Sequence, residues 1–318
     1  MRIILAVNSM SSLDIHAAGN VEGDEMIARS WQAEINRRDH TCLLAVANQQ
    51  PVNATGVDYV IHFSIFSEPW LSWANTKNVL YMQNAFSPQT WPGGTIGMFR
   101  SVANKFDAYI FTSQKLCEHC LPYTSGKPVA VAPFAADPHI YHEYPVRQEY
   151  RHPVVFVGNN IRGQEIANRY LYPAIEHGLV IYGNKSGWGD PYFNCCRGKI
   201  RQDPDEAELY SSARICLNSH IDEHVIHDTI NFRIYTILAC GGFVISDCIE
   251  SLDREFSDSV VFTNGNSCGN DELSRQIKFY LEHPEETIPY REHGRELVLG
   301  SHTFKHRMDV VLPFLERL

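Results

Sequence analysis

Two doubly wound α/β domains are the architecture this sequence predicts, and three observations predict it. The chain has 318 residues, beyond the usual size of one core, so length favours two domains of about 150 residues each. Apolar, β-rich runs alternate with helical patterns in both halves, which implies parallel sheets covered by helices on both faces. Between the two series lies PFAADPHIYHEYPVRQEYRHP, rich in prolines, tyrosines and charges but without periodicity. That stretch places the boundary near residue 150 and divides the chain into domains 1–150 and 151–318.

In the first series the β-rich runs are 2–7, 41–47, 59–63, 78–82, 108–112 and 129–132. Each is bracketed by helix-like or turn-rich segments, and the first helix is expected over roughly 23–38 after a glycine-containing turn. The second series places strands at 154–157, 180–182, 215–218, 243–246 and 260–262. No internal repeat or low-complexity tract interrupts either series.

Hydrophobic content of 44%, with 16 Phe, 15 Tyr and 5 Trp, is ample for two cores. A formal net charge of -10 argues against wrapping nucleic acid by bulk electrostatics, although it allows a local basic cleft. No apolar run reaches the length that spans a bilayer, and MRIILAVNS is too short for a signal peptide, so the expected location is the cytosol. Nine cysteines, an odd count spread over both halves, fit reduced thiols better than a disulfide framework. Cys117 and Cys120 form a lone C-x-x-C with no partner pair at zinc spacing.

The most informative stretch is 228–248, DTINFRIYTILACGGFVISDC, which reads as a loop, a short helix, a glycine stop and a buried strand. A helix N-terminus then lies at the carboxyl edge of a sheet, where unpaired N–H groups and a positive dipole end favour a phosphate. Asp228 and Thr229 are candidate caps, so Thr229, Ile230 and Asn231 are expected at the helix start. Arg233 shares a face with Thr236. An arginine in a first helical turn opposes the dipole, so an anion is expected to compensate it; the plain alternative is pairing with a surface carboxylate.

Read in order, VVFVGNN, YGNKSGW, RGKI, EAELYSSARICLNSH, NFRIYTILACGGFVISD and GRELVLGSHTFKHRM form a pattern over residues 152–318 that resembles the CgeB-like (spore maturation protein) glycosyltransferases of the GT-B fold. The first half matches in architecture alone. The resemblance implies two Rossmann-like domains facing across a cleft, the second holding a nucleotide-activated sugar and the first an acceptor: a glycan, a small molecule or a modified nucleic-acid base. The donor is a co-substrate, and no cofactor or metal is implied, since helix N–H groups and arginine neutralise the diphosphate.

The resemblance further implies that Gly158 and Asn159 approach the donor phosphates, with Arg162 or Arg169 as a possible charge-assisted partner. Gly198 and Lys199 fall in the turn that holds the base, and Tyr210 and Asn218 lie just before the same cleft. Relatives often carry two glutamates eight positions apart, one on the transferred sugar and one on the ribose; these places fall on Asp228 and Thr236. Thr236 is the departure, because a neutral hydroxyl cannot make a bidentate, charge-assisted ribose contact. The outcome implied by analogy is retention at the anomeric carbon.

His220, Asp222, Glu223, His224, His227 and Asp228 crowd into HIDEHVIHD, which reads as a loop touching the donor sugar, a metal cluster of no standard spacing, or a plain polar loop. On the acceptor side the candidates are His16 and Glu22 as base or positioning groups, Gln83 and Asn84 at a strand end, and Trp70, Trp73 and Trp91 as an aromatic platform or core. His302, His306 and Arg307 are expected to pack near the hinge. Two other readings remain: a silent nucleotide-sugar-binding scaffold, or a transferase acting on nucleic acid through a groove of Lys77, Arg100, Lys105 and Lys115. Oligomeric state is open.

Overall fold

A computed structural model of the protein describes residues 1–7, 23–46, 55–63, 65, 76–83, 85–160, 163–265 and 271–318. The first sheet comprises β1 (Arg2–Val7), β2 (Thr41–Val46), β3 (Tyr59–His62), β4 (Lys77–Met82), β5 (Ala108–Phe111) and β6 (Val129–Val131), all parallel in the order β2-β1-β3-β4-β5-β6. Its central strands are buried on both faces, which is why they read as continuous apolar runs rather than alternating ones. Helices α1 (Gly23–Asn36), α2 (Gly94–Val102) and α3 (Gln114–Cys120) cover it. Trp31 of α1 is fully buried, 5.2 Å from Phe63 and 4.7 Å from Tyr81, and ties that helix to the sheet. Cys117 and Cys120 point into the core from α3, where burial raises both thiol pKa values.

The second sheet is β12-β11-β10-β7-β8-β9, again parallel: β7 (Val154–Val157), β8 (Leu179–Tyr182), β9 (Cys196–Gly198), β10 (Ile215–Asn218), β11 (Val244–Ser246) and β12 (Val261–Phe262). The chain builds outward from β7 to β9 and returns on the other side at β10, so the strand order reverses between β7 and β10. A crevice opens at that point, beyond the strands' carboxyl ends. Edge strand β9 escapes sequence reading because Cys-Arg-Gly is not an apolar, β-rich run. Around the sheet lie α4 (Gln164–Tyr170), α5 (Tyr192–Cys195), α6 (Ala207–Ser212), α7 (Asp222–Ile226), α8 (Phe232–Ala239), α9 (Glu250–Phe256), α10 (Glu272–Glu282), α11 (Ile288–Ser301) and α12 (Phe304–Glu316).

The last helix crosses back to the first sheet. Arg38 at the end of α1 meets Asp309 at 2.7 Å, and the Tyr59 hydroxyl donates to the Leu315 carbonyl at 2.7 Å. At the crossing, Ala136 N donates to His302 O (3.0 Å) and Phe304 N to Ala136 O (3.1 Å). Arg307 donates to the Pro133 carbonyl at 3.0 Å and the Phe134 carbonyl at 2.9 Å, so its charge holds the connecting segment rather than a ligand.

Candidate active site

A cleft of about 620 Å³ lies between the two sheets, at the carboxyl edge of each. Its first-domain wall is largely apolar, with Ile27, Phe63, Ile65, Ala85 and Phe86 beside Gly23, Asp24 and Gln83. Its second-domain wall carries most of the polar groups, Asn159, Asn160, Glu206, Tyr210, Ser219, His220, His224, Asn231, Arg233 and Thr236, set among apolar Phe156, Val157, Ile166, Leu171, Trp188 and Ile221.

Helix α8 organises that wall. It starts at Phe232, with Asn231 as N-cap: the Asn231 side chain accepts from Ile234 N at 3.4 Å. The start is thus three residues later than the expected one at Thr229. Thr229 and Ile230 are buried behind the cleft, and the Thr229 hydroxyl is 3.3 Å from Ser113 Oγ in the first domain. Phe232 packs edge-on against Phe134 and Tyr141 of the connecting segment, which fixes the direction in which the first turn points.

Arg233 reaches back over β7. Its Nη1 donates to Asn218 Oδ1 at 2.8 Å, and its guanidinium carbon sits 4.6 Å from the Phe156 ring centre. Burial lowers its pKa, while Tyr210, Glu206 and Asp247 act the other way; the group stays a cation. Gly158 makes this posture possible, because a Cβ there would lie 2.7 Å from Arg233 Nη2 and 2.9 Å from Phe156 Cε1. Asn159 lines the cleft while its Oδ1 accepts from Asn184 N at 2.7 Å, locking the turn after β7 to the turn after β8.

A hydrogen-bonded chain runs behind the wall from Arg233. Asn218 Oδ1 accepts from both Arg233 and Asn231 Nδ2 (2.8 Å), and Asn218 Nδ2 donates to Ser246 Oγ at 2.8 Å. Ser246 Oγ donates to Asp247 Oδ1 at 3.1 Å, and the same oxygen is 2.8 Å from His220 Nδ1. The His220 backbone N also donates to the Asp247 carboxylate, at 2.9 and 3.0 Å. Burial works to raise the Asp247 pKa, but the contacts from His220 and Ser246 outweigh it and hold the carboxyl below its usual value.

Glu206 and Asp247 are the carboxylates that sequence reasoning missed. Glu206 lies four residues before Tyr210 and accepts from its hydroxyl at 2.7 Å, a spacing the EAELY block displays. Burial raises its pKa, against the Tyr210 hydroxyl and the Arg233 charge. Asp247 directly follows β11, at a strand end facing the switch point. Thr236 is fully buried, lines the cleft and spends its hydroxyl on the Arg233 carbonyl at 3.1 Å.

Several expected site residues are elsewhere. Asp228 has left-handed backbone (φ 51°) and accepts from Ser251 N at 2.8 Å and Ser251 Oγ at 2.5 Å. Both its oxygens hold the start of α9, and it does not line the cleft. Arg169 is exposed on α4 and donates to the Asn264 carbonyl at 3.2 Å. Gly198 ends β9 with φ 98° and Lys199 is exposed beyond it; neither lines the cleft. Lys77 begins β4 at the amino edge of its sheet, whereas Lys115 follows the carboxyl end of β5, so these lysines cannot share one groove. Trp91 packs on Phe86 with ring centres 6.2 Å apart. His16, Glu22, Trp70, Trp73, Asn84 and Arg162 lie outside the described residues.

His227 faces the first domain instead of the cleft. Its Nδ1 is 2.9 Å from His119 Nδ1, and its carbonyl accepts from Ser113 Oγ at 2.6 Å. Burial, then the neighbouring His119 and Lys115, push its pKa down to about 4. Among the described residues no group of three or more His, Cys, Asp or Glu is arranged to hold a metal ion, and no helix is long and apolar enough to cross a membrane.

Two parallel six-stranded sheets facing across such a cleft are shared with solved glycosyltransferases. HepE of Anabaena, in complex with UDP-glucose, superposes with a TM-score of 0.71 at 14% identity, covering 100% of both chains. The fold is GT-B. Sucrose-phosphate synthase from Thermosynechococcus elongatus gives 0.68 at 12% identity over 99% of this chain and 98% of that one. AviGT4, a glycosyltransferase of avilamycin A biosynthesis, gives 0.65 at 13% over 99% and 97%. Residues 164–312 match the family described as glycosyl transferase-like. No curated protein matches the sequence significantly.

Proposed function

We propose that this protein is a glycosyltransferase of the CgeB-like kind that takes a nucleotide-activated sugar and passes the sugar to a hydroxyl-bearing acceptor. The observation that carries the reading is Arg233: a cation in the first turn of α8, stacked on Phe156 and lining a cleft at the strand-order reversal. When the bond between the anomeric carbon and the diphosphate breaks, the electron pair leaves on phosphate oxygen. Arg233 and the N-terminal dipole of α8 offset that charge without a metal. HepE, of the same fold, was solved with UDP-glucose, which supports a nucleotide-sugar donor.

Glu206 supplies the carboxylate that Thr236 lacks. It stands on the same wall just before α6, its Oε1 accepting from Tyr210 at 2.7 Å and its Oε2 more loosely from Tyr141 at 3.4 Å, and it takes the ribose hydroxyls as an acceptor from that side of the cleft rather than from α8. The apolar first-domain wall suits an acceptor with a hydrophobic face, a small molecule or glycan rather than a polyanion. Retention remains the stereochemical expectation, and the free cysteines fit the reducing cytosol.

Calorimetric titration and thermal shift with UDP-, GDP-, ADP- and dTDP-sugars test the reading, with Arg233→Ala as control. One donor class should bind the wild type and lose at least tenfold in the variant. Equal binding and equal transfer by Arg233→Ala would overturn it.

A further inference from the structure

His220 is buried, with its side chain at 0% exposure, and it lines the cleft. Its Nδ1 faces the Asp247 carboxylate at 2.8 Å; an ionised carboxylate only accepts, so Nδ1 carries the proton and donates. The other ring nitrogen, Nε2, has no hydrogen-bond partner among the described residues. A buried imidazole nitrogen without a partner is costly, and such an atom on the wall of a cleft calls for a ligand. The ring cannot turn away to find another partner, because Asp247 also accepts from the His220 backbone N and is itself anchored by Ser246.

Position identifies the ligand chemistry. The Asp247–Ser246–Asn218 chain ends on Arg233 and on the Asn231 cap of α8, so the same scaffold that aims the cation also aims His220. We propose that His220 is a catalytic residue at the diphosphate end of the donor, donating from Nε2–H as an imidazolium, with Asp247 as its positioning residue. The inference rests on the nucleotide-sugar reading above and adds a second donor to Arg233. As the acceptor hydroxyl oxygen bonds to the anomeric carbon and the anomeric C–O bond to the diphosphate breaks, the electron pair moves onto the phosphate oxygen, the Nε2–H hydrogen bond shortens onto it, and the acceptor's hydroxyl proton leaves with the diphosphate. The imidazolium proton stays on the ring through that step. An incoming diphosphate favours the protonated imidazole, so binding takes up a proton.

Other charged or titratable groups surround the ring. His224 on α7 is 6.4 Å away between ring centres, Arg233 is on α8, and Tyr170 on α4 lies within electrostatic reach of Asp247 and Asp222. The experiment therefore separates His220 from His224. Calorimetry at pH 8, where the nucleotide phosphates are fully ionised, is run in two buffers of different ionisation enthalpy with UDP, GDP, ADP and dTDP. For the nucleotide that binds, the wild type should take up a proton, and His224→Gln should do the same. His220→Gln, which keeps a neutral N–H donor, should lose the uptake and weaken binding about tenfold; Asp247→Asn should lose part of each. Thermal midpoints of the variants confirm that each is folded.

Proton uptake that persists in His220→Gln, or that disappears in His224→Gln instead, overturns the assignment and leaves the donor site standing. Failure of every nucleotide to bind the folded wild type overturns the donor reading itself and this inference with it.

Discussion

The two walls of the cleft are built by different physics. On the second-domain side polar groups in a chain hold one another: Asn231 and Arg233 share Asn218, Asn218 leans on Ser246, and Ser246 and His220 converge on Asp247. On the first-domain side Ile27, Phe63, Ile65 and Phe86 present hydrocarbon, with Gln83 tied to the Phe63 carbonyl at 3.1 Å. A preorganised polar wall offsets charge that develops at a fixed place, whereas an apolar wall excludes water and adapts to shape. Under the proposed function, the polar side takes the diphosphate and the apolar side the acceptor.

The sharpest way to break the contrast is to exchange the expected effects of the two walls. Arg233→Ala should lower kcat 100- to 1000-fold, about 3–4 kcal/mol by the measure of other lost transition-state donors. Ile65→Ala, on the opposite wall, should leave donor affinity unchanged and raise the acceptor KM. A donor-affinity loss in Ile65→Ala as large as that in Arg233→Ala would dissolve the assignment.

A smaller effect is expected at Gly158. Alanine there would press on Arg233 Nη2 and Phe156, so Gly158→Ala should cost about 1–3 kcal/mol of overpacking and displace the guanidinium. Donor titration should report a loss of roughly tenfold or more. Unchanged affinity would show that Arg233 does not need its stacked posture.

Glu206→Gln tests the carboxylate that sequence reading overlooked. With the ribonucleoside diphosphate that binds, affinity should fall about tenfold, close to 1.4 kcal/mol. With its 2′,3′-dideoxy analogue the variant and wild type should bind alike. Equal loss for both ligands would mean that Glu206 supports Arg233 and Tyr210 rather than reading the ribose.

The gentlest perturbation is pH at the domain contact. His227 has a folded pKa of about 4, below its ordinary 6.5, so the neutral ring is the one the fold accepts. Its contribution to stability is present above about pH 6.5 and is lost as pH falls from there towards 4. His62 and His302 are lowered to about 4 as well, and share the acid response. The informative quantity is therefore the difference between wild type and His227→Gln: the midpoint should fall less for the variant between pH 7.5 and 5. Parallel curves would place the sensitivity elsewhere.

The alternation of apolar runs was legible because strands buried on both faces must be apolar throughout, and β1 at Arg2–Val7, β7 at Val154–Val157 and β10 at Ile215–Asn218 lie where those runs predict. Arg233 was legible too, since a cation in a first helical turn contradicts local preference and so asks for a reason. Asp228 misled because a capping residue type beside a helix cannot say which helix it caps; its carboxylate holds α9, 23 residues onward. His227 misled in the same manner, turning to Ser113 and His119 across the domain boundary.

Local sequence thus determined where most strands lie, that they make two sheets, and that a short helix carrying Arg233 in its first turn stands at a sheet's carboxyl edge, because periodicity and capping act over a few residues. The partners of Glu206, the chain from Arg233 through Asn218 and Ser246 to Asp247 and His220, and the crossing of α12 onto the first sheet were decided by tertiary structure. Those contacts join residues far apart in the chain, and no local pattern records which side chain will satisfy a buried polar group. That choice is made only when the sheets close around it.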